Sequence, residues 1–354
     1  MSLSQLLGTE LPLLQAPMAG VQGSRLAAAV SKAGALGALP CAMLGVERIR
    51  EEVTAIRAQT AHPFNLNFFC HQPPAEDAAR EAAWRQRLAP DYARLGVSLD
   101  AASSATSRRP FDAQMLALVG ELRPAVVSFH FGLPEADLWQ PLRALGIRVL
   151  ASATTLEEGR WLQQQGVDAV IAQGWEAGGH RGMFLGDDLG TQMGTFALLP
   201  QLVHALRVPV IAAGGIADAD GVAAAMRLGA AGVQVGTAYL LCPEADTSAV
   251  HRGALQGAQA AETAVTNVFT GRPARGIVNH AMRAWGPINP DAPAFPLAAQ
   301  FVAPLRKAAE AQGSSDYSPL WAGQNTSGCR ETSAAELTWA LAQGLGSQEP
   351  PCLV

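Results

Sequence analysis

The chain predicts an α/β fold, a (β/α)8 TIM barrel with a smaller C-terminal lid or substrate domain, and three observations carry that expectation. Short apolar runs alternate with helix-period segments eight times between Leu11 and Val235. Repeated βα units with right-handed crossovers close most simply into a barrel, a doubly wound sheet being the other arrangement. The residues richest in chemistry stand where apolar runs end, which is where barrels place their sites. Beyond about residue 240 the alternation stops and Pro-rich joints replace it.

Each element has its own justification. Residues 11–19 read as the first strand and 24–33 as a helix whose Leu26, Ala29 and Val30 share a face. Strand two covers 36–42, helix two 46–58 and strand three 64–69. A polar insertion rich in Ala, Pro and charge follows over 71–109, about 72–112 with its joints, and is expected to pack over the barrel mouth. Then come a helix at 113–121, strand four at 125–131, a helix at 135–145, strand five at 148–152 and a helix at 156–165. Strand six runs through Val170, Ile171 and Ala172; a helix at 195–206, strand seven at 209–213, a helix at 220–228 and strand eight at 232–235 complete the series. Residues 1–240 therefore read as the barrel and 241–331 as the lid domain, whose 285–293 stretch holds three prolines and excludes continuous helix or central strand. Residues 295–307 begin an amphipathic helix, and the tail 332–354 carries Leu337, Ala340 and Leu341 at helical spacing, so it can return to the barrel as a final outer helix.

Composition bounds the function. With 49% hydrophobic residues, 16% charged residues and 35 glycines among 354, the chain can bury a large core of close-packed small-residue helices. A net charge of -5 without any Lys/Arg run argues against nucleic acid or an anionic membrane as partner, so a small charged partner must be met locally. The N-terminus lacks a basic and apolar leader, and no window approaches the roughly 18 apolar residues of a membrane span; the expected location is cytoplasmic. Cys41, Cys70, Cys242, Cys329 and Cys352 are odd in number and lack ligand spacing, which predicts neither a disulfide framework nor a metal site.

The stretch from Val170 to Gly182 concentrates the chemistry. Gly174, Gly178, Gly179 and Gly182 free the backbone, and His180 stands among them beside Arg181, with Glu176 four residues earlier. A glycine turn with a structural histidine would account for the same residues. Met18, Asn67 and His130 fall at the ends of strands one, three and four. At the ends of strands seven and eight stand Ala213-Gly214-Gly215-Ile216 and Gln234-Val235-Gly236-Thr237, where barrels bind phosphate through backbone N–H groups; short βα turns also use glycine. No strand leads into Gly-x-Gly-x-x-Gly and no Walker motif exists, so the expected cofactor is a mononucleotide.

Those segments, with Gln15-Ala16-Pro17-Met18-Ala19-Gly20, Asn65-Leu66-Asn67-Phe68-Phe69-Cys70-His71, Glu176-Ala177-Gly178-Gly179-His180-Arg181-Gly182 and Trp321-Ala322-Gly323-Gln324, resemble the nitronate monooxygenase family, formerly 2-nitropropane dioxygenase, in its class I branch. The resemblance spans nearly the whole chain. It implies FMN, contacted at Met18, Asn67, Gln173, Gly178, Gly215, Gln234, Val235, Gly236 and Thr237. The glycines and Thr237 would cradle the phosphate, and Gln173 would bond the isoalloxazine. It puts the active-site histidine at His180. A nitronate such as propionate 3-nitronate would be oxidised with O2 to a carbonyl compound and nitrite, His180 and Arg181 stabilising the anion; a base is needed only for a neutral nitroalkane. His130 is a rival for the substrate pocket, or a core histidine, and His71 a lesser candidate. Where the family often has tyrosines and a lysine, this chain reads Phe295, Ala299, Phe301 and Ala303, so a more apolar pocket including Phe295 is expected. An FMN-dependent NAD(P)H reductase of quinones or enoyl thioesters would use the same phosphate turns, and a non-catalytic flavin-binding module is a third reading. Monomer and homodimer both fit.

Overall fold

A computed structural model describes residues 1–75, 77–99 and 108–346. Residues 100–107 of the insertion and 347–354 of the tail, including Cys352, lie outside the described residues. Eight parallel strands form the central sheet: β1 (Leu13–Gln15), β2 (Gly37–Pro40), β3 (Phe64–Phe69), β4 (Val126–His130), β5 (Arg148–Ala153), β6 (Ala169–Gln173), then β8 (Val210–Ala213) and β9 (Gly232–Val235). The short β7 (Gly179–His180) leaves the barrel and joins β10 (Thr263–Thr266) and β11 (Ala274–Ile277) in a separate sheet, ordered β10-β11-β7.

The large sheet runs β1-β9-β8-β6-β5-β4-β3-β2 and closes on itself. Closure comes from a parallel bridge between Leu14 and Leu36, where Gln15 N donates to Leu36 O at 3.0 Å and Leu36 N to Leu13 O at 2.9 Å. The fold is thus the expected TIM barrel rather than a doubly wound sheet. Strand alternation sorts the side chains. Leu14, Leu36, Val126, Leu150, Ile171 and Ile211 pack together and meet Leu3 and Leu7 of α1 (Leu3–Leu7), while Leu13, Val127, Val170 and Val233 join the core shared with the surrounding helices.

Those helices are α2 (Ser24–Lys32), α3 (Val46–Arg57), α5 (Ala113–Leu122), α6 (Ala136–Ala144), α7 (Leu156–Gln165), α8 (Thr195–Ala205) and α9 (Ala219–Arg227). Side chains at their starts satisfy otherwise orphaned N–H groups: Asp112 caps α5, Thr155 caps α7 and Asp218 caps α9. The ring position after β9 is filled by α13 (Ala334–Ala342), which packs against both α2 and α9 and is held by a Tyr239–Thr338 hydroxyl contact of 2.8 Å.

The first strand is shorter than the sequence predicts, because Pro17 supplies no N–H and the chain turns there into the cavity-lining loop. A larger difference concerns the insertion. It contains α4 (Ala78–Leu95), which builds a second core together with elements from beyond residue 240. Trp84, Leu88 and Tyr92 pack with Met282 and Trp285 of α11 (His280–Trp285) and with Phe301 and Leu305 of α12 (Ala298–Ala311). Buried Asp91 accepts from Trp285 Nε1 at 2.7 Å and from the Tyr317 hydroxyl, and Tyr92 Oη donates to Phe301 O at 2.6 Å. Part of the chain before the barrel's midpoint thereby belongs to the same core as residues after it. Among the described residues, no helix is long and apolar enough to cross a membrane.

Candidate active site

A cavity opens at the C-terminal ends of the barrel strands. Met18, Asn67, His130, Gln173, Gly178, His180, Gly215, Gln234, Gly236 and Thr237 all line it, so ten residues dispersed over 220 positions of sequence meet at one place. Arg181, Val235 and Phe295 do not line it.

His180 is positioned by its backbone. β7 pairs antiparallel with β11, His180 opposite Ala274, and the His180 carbonyl accepts from Gln173 Nε2 at 2.9 Å and meets His130 Nε2 at 3.1 Å. Gln173 Oε1 accepts from Gly182 N at 2.7 Å. The Gln173 amide therefore braces the histidine loop, a use that differs from the flavin-bonding role the resemblance implies and leaves one amide hydrogen. His180 Nε2 lies 2.9 Å from Thr270 Oγ1, while Nδ1 has no hydrogen-bond partner among the described residues. Burial, then the positive charge of Arg108, hold its pKa well below the ordinary imidazole value, so the ring is neutral at pH 7. His130 is pushed down to about 4, chiefly by burial, with its Nδ1 3.1 Å from Ser152 Oγ.

Arg181 corrects an expectation. Successive side chains of an extended segment point to opposite sides, so once His180 faces the cavity Arg181 must turn away from it. It is fully buried and spends its guanidinium on Gly174 O at 2.7 Å, Gln173 O at 2.9 Å and Gln192 Oε1. Its charge holds the turn. The same alternation separates Gln234 from Val235: the valine side chain sits in the strand–helix core and its carbonyl accepts from Ala16 N at 2.8 Å. Phe295 stands behind the wall, packed with Phe69, Phe131 and Ala42, its ring 5.3 Å from that of His180.

The glycines of the loop are explained by neighbours. A Cβ on Gly178 would lie 2.6 Å from Ala322 C and Gly323 N, and one on Gly182 would lie 2.7 Å from His130 Cε1. Gly214 and Gly215 instead need positive φ, at 113° and 76°. Glu176 does not pair with His180; its carboxylate accepts from Thr195 N and Oγ1, both at 2.8 Å, at the start of α8. Trp321, whose ring is 5.6 Å from His180, and Asn325, which donates to Gly215 O at 3.0 Å, also line the cavity without having been assigned a role from sequence. The Trp321 motif was visible as a family signature, whereas Arg108, another lining residue, sits in the insertion and carries no spacing signal.

Residues 1–344 match the profile of the family described as Nitronate monooxygenase. The chain belongs to the nitronate monooxygenase family. It is 44% identical over 344 residues to a nitronate monooxygenase of Pseudomonas aeruginosa, covering 97% of this chain and 98% of that one. It is likewise 44% identical over 347 residues to one of Paraburkholderia phytofirmans, covering 97% and 94%. Among solved structures, nitroalkane oxidase from Streptomyces ansochromogenes superposes with a TM-score of 0.89 at 38% identity, over 98% of both chains. FabK from Thermotoga maritima superposes with a TM-score of 0.71 at 26% identity, over 96% of this chain and 94% of that one.

Proposed function

We propose that this protein, a nitronate-oxidising monooxygenase with a flavin cofactor by family, uses FMN and O2 to convert alkyl nitronates to a carbonyl compound and nitrite. The observation that carries the reading is the convergence of His180 and the two glycine turns on one cavity.

The donor set fits a phosphate monoester. Among the described residues nothing accepts from the backbone N–H groups of Gly215, Gly236 or Thr237, and Gly236 begins a 3-10 turn whose N–H groups are directed outward from its first residues. The one nearby carboxylate, Glu176, is engaged with Thr195. Gly215, Gly236 and Thr237 would hold the phosphate, with Met18, Asn67 and Gln234 along the remainder of the cofactor. Bound FMN supplies the electron-accepting ring and the reactivity with O2.

The chain's own residues handle the anion and the proton. With Nε2 accepting from Thr270, the neutral His180 ring presents Nδ1–H as a donor to a nitronate oxygen; in the other tautomer Nδ1 is an acceptor, suited to a neutral nitroalkane. Because burial disfavours the imidazolium, the donor tautomer serves a preformed nitronate without any proton transfer. Gln173 and His130 fix the His180 carbonyl and hence the ring's direction. Phe69 and Trp321 keep water from the wall beside it.

Oxygen uptake with propionate 3-nitronate and with a simple alkyl nitronate tests the reaction, and chromatography of heat-released flavin tests the cofactor. FMN and nitronate-dependent uptake are expected. Recovery of FAD would remove the mononucleotide reading, and rapid anaerobic bleaching by NADPH without nitronate turnover would replace the oxidase with a reductase.

A further inference from the structure

With a net charge of -5 the chain offers an anionic substrate no long-range attraction, so the recognising charge has to stand at the site itself. Three arginines near His180 do not line the cavity. Arg181 turns away from the cavity; Arg272 donates to Met183 O and lies 4.0 Å over the Phe131 ring; Arg275 donates to Trp175 O and Thr263 Oγ1. Among the described residues Arg108 is the one arginine or lysine lining the cavity. Its place is set by the strands: Arg109 N donates to Ala42 O at 3.1 Å and Phe111 N to Phe69 O at 2.7 Å, so the insertion re-enters the barrel rim between the ends of β2 and β3. Of the charges acting on His180, that of Arg108 is the foremost.

We propose that Arg108 binds the negative charge of the substrate, which places anion recognition on the insertion after β3 rather than on α12. This rests on the nitronate reading above. A planar guanidinium fork matches the two oxygens of a nitronate in geometry and charge, and Phe69, His130 and Trp321 line the same cavity, where a partly apolar wall strengthens such a contact relative to water. It also separates two jobs. His180 directs one hydrogen bond and Arg108 supplies the charge.

The experiment compares R108Q and R108K with the wild-type holoenzyme, using steady-state oxygen uptake with ethyl nitronate, calorimetric titration with nitrite as a binding probe that does not turn over, and flavin content. R108Q should raise KM and weaken nitrite binding by about ten- to a hundredfold, the span of one charge-assisted hydrogen bond, with kcat within about threefold and flavin content unchanged. R108K, which keeps the charge and loses the fork, should fall between the two. Should R108Q misfold, R108K and a salt series decide: KM and nitrite affinity weakened in R108K, with loss of both at high salt in wild type, support recognition by Arg108, whereas R108K values within twofold of wild type together with no salt dependence overturn it. KM and nitrite affinity of R108Q within twofold of wild type overturn the proposal while leaving the nitronate reaction standing. Arg108-dependent nitrite binding in a protein that oxidises no nitronate would keep the anion site and remove the function proposed above.

Discussion

Gly178→Ala separates a ligand cradle from a packing constraint. Gly178 does not have positive φ, so alanine there meets no backbone strain, and the whole effect is the added methyl. That methyl would stand 2.6 Å from Ala322 C and Gly323 N and 3.1 Å from Ala322 Cα, and must retreat to at least 3.4 Å for ordinary contact. All three atoms are backbone, so no rotamer change relieves it. The segment that has to move carries Trp321 on the cavity wall, the Gly323 N–H bond to Thr237 Oγ1 at 2.9 Å and the Gln324 N–H bond to Glu176 O at 2.9 Å. Overpacking of this kind costs about 1–3 kcal/mol. With an unfolding entropy of about 2.1 cal/mol/K per residue, a chain of this length loses roughly 1–4 °C in Tm. Because Thr237 is one of the residues proposed to hold the cofactor phosphate, flavin occupancy should fall as well. Gly179→Ala is the control: φ is 70° and nothing lies within 4 Å of its Cβ, so it should cost about 1–2 kcal/mol through strain with flavin occupancy retained. Scanning calorimetry and the flavin-to-protein absorbance ratio read both quantities. Wild-type Tm and occupancy in Gly178→Ala, or equal flavin loss in Gly179→Ala, would refute the reasoning.

His180→Asn should keep its flavin and lose turnover of a preformed nitronate by roughly ten- to a thousandfold if the ring donates to the anion; loss confined to the neutral nitroalkane in oxygen-uptake assays would make it a base instead. Gly215→Val, at φ 76°, should distort the turn and lower flavin occupancy, and a variant purified with full flavin would mean the phosphate lies elsewhere. Acid should destabilise the protein through its buried histidines. His71, His130 and His251 are held down to about 4, chiefly by burial, and His180 lower than its ordinary value too, so the unfolded chain binds protons first. The sign follows: this stability is intact above about pH 6.5 and is lost as pH falls from there toward 4, so Tm should drop between pH 7 and 5, and a flat or rising Tm in that window counts against neutral burial.

Much of the architecture could be read from residue order because it is set by local periodicity: eight apolar runs separated by seven helix-period segments leave few ways to bury every strand. The insertion escaped that logic. Ala78–Leu95 is helical despite Pro90 because Trp84, Leu88 and Tyr92 find partners some two hundred residues later, a pairing with no signature in its own sequence. The candidate site divides in the same manner. That His180 and the glycine turns belong together was legible from their places at strand ends, since a barrel brings all those ends to one face. Which way Arg181 points depended on a two-residue strand pairing with β11, and once His180 faced the cavity the pleat sent its neighbour into the protein. Gly178 is glycine because of Ala322 and Gly323, and Arg108 reaches the cavity because residues 109 and 111 bond to the ends of β2 and β3. Sequence alone determined the barrel, its glycine turns at the strand ends and its histidine, features written in short-range pattern; tertiary structure decided which charges and which glycines line the cavity, because those depend on contacts between segments far apart in the chain.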